Sequence, residues 1–274
     1  MNRERNRFLS LYAALVYAFL FAPIVVLVIF SFNDSRRNFQ WRGFTLDWYP
    51  QLLANDQLLD ALWVTLQVAA VAVVVSTVLG ALIGLGLARL RSRARAGADT
   101  LLLLPMVTPE IVVGLSLLLF FLQLFDGRGS IGQLQIAHVT FCISYVAVVV
   151  RARASGMDPN LEEAARDLGA SAWGAFRHVT LPLLAPAIAA GAMLAFALSF
   201  DDYVITTFNA GVGSSTLPLY IYGKIKFGVT PEINAISTII VAVTAVAILL
   251  AWRFGRLGGI DRRSVAQVVE EPTT

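Results

Sequence analysis

Residues 61–88 read ALWVTLQVAAVAVVVSTVLGALIGLGLA, 28 consecutive residues without a charged side chain. A helix of that length is about 42 Å long, more than the ~30 Å needed to cross the hydrocarbon core of a bilayer. Val68 to Val75 shows no alternation of polar and apolar residues, which argues against a barrel strand and for a membrane helix. Five more apolar runs lie at 8–32, 101–122, 131–150, 184–206 and 235–254, and the six together cover about half of the 274 residues. An even spread of the 21 basic and 18 acidic residues would put about 20 in these runs, yet only Glu110, Asp201, Asp202 and Arg253 occur there. A chain that is 57% hydrophobic and 14% charged has too little charge to cover a soluble globule, and its composition excludes disorder. The single Cys142 excludes a disulfide scaffold. The expected fold is an all-α polytopic membrane protein with six transmembrane helices.

Basic residues set the expected orientation. With the N-terminus in the cytoplasm, 15 Lys and Arg residues fall on the inner side and 6 on the outer side, which places both termini inside. The first apolar run exceeds a signal-peptide core, and Ile29-Phe30-Ser31-Phe32 offers no small-residue cleavage pattern, so it reads as a signal anchor. A sequence pI of 9.2 does not imply nucleic acid here, because the basic residues lie where membrane topology alone requires them. The organisation read from this is a cytoplasmic segment 1–7, a transmembrane domain 8–254 and a cytoplasmic tail 255–274. Trp41, Trp48 and Tyr49 in the outer loop 33–60 suit an interfacial aromatic belt.

The inner loop 151–183 carries the most local signal. Asp158-Pro159-Asn160 has helix-start chemistry, Asn160 and Glu163 have capping-box spacing, and Glu162 and Glu163 sit near the positive helix end. Leu161, Ala165 and Leu168 fall on one face. Gly169 suits a helix stop and Ser171 the cap of a second helix with Trp173 and Phe176, while Leu181-Pro182 marks the return to the membrane. Two short amphipathic helices are expected, with an apolar side that must be buried against another chain.

Glu163-Ala164-Ala165, three residues, Gly169, nine residues, Val179, one residue and Leu181-Pro182 resemble the EAA loop of ABC importer permeases, EAA-x3-G-x9-I-x-LP, with Val179 in place of Ile. The resemblance runs from about residue 8 to 255. Ala137-His138-Val139-Thr140-Phe141-Cys142, Ser199-Phe200-Asp201-Asp202-Tyr203 and Pro231-Glu232-Ile233-Asn234-Ala235 are similar to the spermidine/putrescine permeases within that family. The resemblance implies that the loop over 158–182 is a coupling helix seated in a cytoplasmic ATPase. Glu162, Glu163, Ala164, Ala165, Gly169, Leu181 and Pro182 would be its coupling residues, Glu163 by a charge-assisted contact and Gly169 by permitting the bend. It also implies a second permease subunit, expected to be a different chain, two copies of the ATPase and an extracytoplasmic polyamine-binding protein. The sequence has no G-x-x-x-x-G-K-[ST], so the chain is expected not to be an enzyme and to bind no cofactor, with ATP and Mg on the partner ATPase.

The acids within the apolar runs carry the cargo reading. A charge in the bilayer is costly, so by default it faces a pathway or a partner. Glu110 follows Pro105 and Pro109, and a straight helix would place it about 13 Å deep. Asp201 and Asp202 would lie about 25 Å along the fifth span. With Glu232 at the mouth of the sixth, the acids would form a descending series. Carboxylates spaced along a path suit the separated ammonium groups of a polyamine, and Phe200, Tyr203 and Tyr222 would offer aromatic faces to the same cations. His138 and Cys142 sit one helical turn apart, too few for a metal site, and read as core packing, while His178 reads as a surface residue. Rival readings are the same class with another small solute (ferric ion, thiosulfate) and, more distantly, an intramembrane enzyme.

Overall fold

The computed structural model describes residues 2–35, 40–90, 92–124, 129–158, 160–226 and 231–257. The tail 258–274 and the expected helix-start residue Pro159 lie outside them. The chain divides into two units, Met1–Asn55 with Lys224–Thr274, and Asp56–Gly223.

The first unit holds α1 (Asn2–Phe30), α2 (Trp48–Leu53) and α12 (Pro231–Leu257), with α1 and α2 both packed on α12. Helix α1 begins at Asn2, so the short segment expected over 1–7 continues into the same helix as the first apolar run. The loop between α1 and α2 is pinned by side chains. Asn33 pairs with Phe44 in an isolated antiparallel bridge, and its Oδ1 accepts from the Arg42 amide at 2.9 Å. Trp48, one of the residues that suit an interfacial belt, is buried within the protein, and its indole N–H donates to the Asn33 carbonyl at 2.9 Å.

The larger unit runs through α3 (Asp56–Ala88), α4 (Ser92–Val107), α5 (Glu110–Leu124), α6 (Ile131–Ser155), α7 (Asn160–Asp167), α8 (Ala172–Ala175), α9 (Leu181–Phe200) and α10 (Val204–Asn209), and α11 (Leu217–Ile225) begins in it. Its centre is α6, packed between α3 and α9. Lipid tails are as apolar as leucine, so membrane helices associate through close van der Waals packing, which small residues permit. Gly80 and Gly84 of α3 do this. A Cβ on Gly80 would lie 2.7 Å from the Val146 Cβ, and one on Gly84 would lie 2.5 Å from the Ala147 carbonyl oxygen. Gly191 of α9 closes on Val146 in the same way. The polar residues that interrupt the fourth apolar run lie in its most enclosed helix, and Gln133 completes a capping box with Ser130 at 3.1 and 3.2 Å.

Among the described residues, four helical segments are long and apolar enough to cross a membrane: Leu9–Phe30, Asp56–Ala88, Ile131–Ser155 and Ala172–Phe200. The third and fifth expected spans differ from the straight crossings that the sequence suggests. The apolar run 101–122 is broken after Val107, and the helices on either side of the break meet at 103°. Pro109 supplies no N–H across the break, and the Thr108 hydroxyl turns back to the Leu104 carbonyl at 2.7 Å. The pair counts as a fifth span only if the bent helices are taken together, and the apolar stretch of α12, Pro231–Val246, is shorter. The fifth run, 184–206, stops at Phe200 and resumes as α10 after the interruption at Asp201-Asp202-Tyr203.

Candidate functional site

Both helix interruptions carry the intramembrane acids. Glu110 opens α5, and Asp201 and Asp202 separate α9 from α10. Packing brings the breaks together: the Asn209 amide donates to the Gly114 carbonyl of α5 at 3.1 Å, and Gly114 is small enough for Phe208 of α10 to close on it. Glu110 is then near enough to Asp201 and Asp202 for the carboxylates to influence one another. The depth expected for Glu110 from a straight helix does not apply, because the helix breaks just before it, whereas α9 runs unbroken to Phe200, next to Asp201.

The two aspartates have different environments. Asp201 is exposed. Asp202 is 8% exposed and its carboxylate is fully engaged. It accepts from the amides of Ile205 at 3.1 Å and Thr206 at 2.8 Å, and from the Thr206 hydroxyl at 2.9 Å, capping α10. This corrects the reading of Asp202 as a lining carboxylate: it holds the corner on which Asp201 stands. The structure also gives His138 more than packing. Its Nδ1 lies 2.8 Å from Ser199 Oγ, and its Nε2 lies 3.1 Å from Thr206 Oγ1 and 3.4 Å from the nearer Asp202 oxygen. A carboxylate only accepts, so the Thr206 proton is committed to Asp202 and the imidazole must donate to Thr206 through Nε2. With one ring proton, Nδ1 then accepts from Ser199. The network ties α6, α9 and α10 together at the interruption. Ser199 and Thr206, polar residues in an apolar run, were the available sequence signal for it.

Of the aromatic candidates, Phe200 stacks on Phe196 at 5.3 Å, and Tyr203 meets Tyr222 of α11 at 4.3 Å between ring centroids. Within the larger unit, Glu110, Asp201 and Asp202 come together, and Glu232 lies in the first turn of α12, in the other unit. Among the described residues no group of three or more His, Cys, Asp or Glu could hold a metal ion.

The loop over 158–182 forms helix–turn–helix as its residues suggest. The Asp158 carboxylate accepts from the Asn160 amide at 2.9 Å, so Asp158 rather than Asn160 caps α7. Gly169 takes φ +87°, and its amide and that of Ala170 bond back to Arg166 and Ala165, a left-handed helix stop that glycine adopts without strain. Ser171 Oγ accepts from the Gly174 amide at 3.1 Å, capping α8. A π-helical turn, Phe176–Thr180, carries α8 directly into α9, and Pro182 lies in the first turn of α9. Helix α7 buries none of its residues. Glu163 and Ala164 are exposed, as are Leu168 at 90% and Trp173 at 67%. Glu162 points the other way, accepting from the Arg89 guanidinium at the end of α3 and from the buried Thr180 hydroxyl. Its carboxylate is thus engaged within the chain.

A bundle with interrupted helices around intramembrane acids and an uncovered amphipathic helix pair beyond it defines a membrane permease. Residues 76–257 match the family of binding-protein-dependent transport system inner membrane components, and the chain belongs to that family. It is therefore a multi-pass inner-membrane permease component. Among individual relatives, it is 41% identical over 242 residues to the putrescine transport system permease protein PotI of Escherichia coli K12, covering 86% of each chain. It is 40% identical to the spermidine/putrescine transport system permease protein PotC of the same strain, covering 88% of this chain and 91% of the relative. The fold is shared with a bacterial ABC transporter involved in the import of the acidic polysaccharide alginate, at a TM-score of 0.68 over 93% of this chain and 98% of the other, with 18% identity. A structure of the alginate transporter in complex with a periplasmic protein bound to alginate pentasaccharide matches at 0.70, over 90% of this chain and 92% of the other, also with 18% identity.

Proposed function

We propose that this chain is one permease subunit of an ATP-driven importer of putrescine and spermidine. The observation that carries the reading is identity of 40–41% to putrescine and spermidine/putrescine permeases along most of the chain. The exposed acids Glu110 and Asp201 are chemically suited to the same cargo: two carboxylates at adjoining helix breaks can replace water around successive ammonium groups, with Tyr203 and Tyr222 beside them for the methylene spacer. Six spans with both termini cytoplasmic remain the topology that the basic residues favour.

In this reading the helix pair over 158–182 faces the cytoplasm and docks on an ABC ATPase, with Glu163 as the charged contact, Ala164 and Ala165 allowing close approach, and Leu168 and Trp173 covered on docking. The working assembly has a second, different permease chain, two ATPase subunits that bind ATP and Mg, and an extracytoplasmic polyamine receptor. The test is uptake of radiolabelled putrescine into proteoliposomes containing the full complex, with receptor outside and ATP inside. Uptake that needs both supports the proposal. A complex that binds its receptor and hydrolyses ATP yet imports neither putrescine nor spermidine overturns the cargo.

A further inference from the structure

We infer that Glu162 is a positioning residue that fastens the docking helix α7 to α9, making α9 the link between the partner ATPase and the acidic cluster. This rests on α7 being the ATPase contact. Helix α7 has little else to hold it. None of its residues is buried, and a cleft of about 470 Å³, bordered by Leu85, Ala154, Met157, Leu161 and Val179, separates it from the ends of α3 and α6. Gly169, at its far end, has open space around its α-carbon. The Glu162 carboxylate bridges the gap, its Oε1 accepting from both the Arg89 guanidinium and the Thr180 hydroxyl.

Thr180 is 1% exposed and is the last residue of the turn that runs into α9 without a break. The helix from Ala172 to Phe200 is a single 29-residue element. From Thr180 to Phe200 it extends about 30 Å, the thickness of the hydrocarbon core. Its far end is clamped by Ser199 on His138, and the next residues are Phe200, Asp201 and Asp202. One rigid element is thus gripped by α7 at one end and bears the helix break at the other. A pull on α7 reaches the break through Glu162 and Thr180, whereas without that bond α7 swings about Gly169.

The test is the ratio of putrescine imported to ATP hydrolysed in the reconstituted full complex, with copurification of the ATPase as a check on docking. Thr180→Val removes the hydroxyl and keeps the shape; Thr180→Ser restores it; Glu162→Gln weakens both bonds. Coupling residues of this kind alter linkage by about 2- to 30-fold. The expected result is a fall of that size in the ratio for Thr180→Val and Glu162→Gln, recovery in Thr180→Ser, and the ATPase still bound. Parental ratios in Thr180→Val overturn the inference, as does loss of ATPase binding in Thr180→Val together with Glu162→Gln. A parental complex with no ATP-dependent uptake refutes the proposed function instead.

Discussion

Asp201 and Asp202 are adjacent and chemically identical, yet the structure gives them opposite environments. Asp202 accepts three hydrogen bonds in a site closed to water, so removing its carboxylate strands the Ile205 and Thr206 donors. Each buried donor left unmade costs about 1–3 kcal/mol. Asp202→Ala is therefore expected to lower the unfolding temperature of the purified protein clearly, whereas Asp201→Asn, at an exposed position, should stay within about 0.5 kcal/mol of the parent. Thermal unfolding in detergent compares the two directly, and equal losses would mean that Asp202 has been misread as the anchor. His138→Ala should resemble Asp202→Ala, because Ser199 and Thr206 both lose their imidazole partner. In sequence these roles were only half visible. Thr206 lies four residues after Asp202, but His138 reaches Ser199 across 61 residues and Thr206 across 68. No local pattern reports such a pairing.

At the level of elements, locally encoded features were legible and packed ones were not. The stop at Gly169 and the cap at Ser171 follow from turn and capping chemistry within a few residues. Pro109 marks the break in the apolar run, but the size of the bend and the packing of α5 on α10, through Gly114 with Phe208 and Asn209, are not local features. Glu162 reads in sequence as a coupling residue beside Glu163, since its partner Arg89 is 73 residues away. The close contact of α3 with α6 also yields a prediction. Gly84→Val forces a side chain against the Ala147 carbonyl and should cost about 1–3 kcal/mol, while Gly86→Ala, with open space at its α-carbon, should be near neutral. Yield and unfolding temperature of the two variants decide it. A stable Gly84→Val protein would mean that the helices pack less closely than described.

For the whole molecule, the apolar runs and their few charges placed the chain in the membrane from composition alone, and the spacing from Glu163 to Pro182 pointed to the permease family before any geometry was known. The surface around Leu168 and Trp173 predicts that the chain is isolated with an ATPase and a second permease, and that Glu163→Ala reduces the amount of ATPase recovered. Unchanged recovery would move the charged contact elsewhere on the helix pair. The most direct test of the account is the initial rate of ATP-dependent putrescine import by the reconstituted complex, for the parent and for the Glu110→Gln/Asp201→Asn double variant. The account predicts import by the parent and a fall of about tenfold or more in the double variant, corresponding to at least ~1.4 kcal/mol, with assembly intact. Parental import rates in the double variant would contradict it.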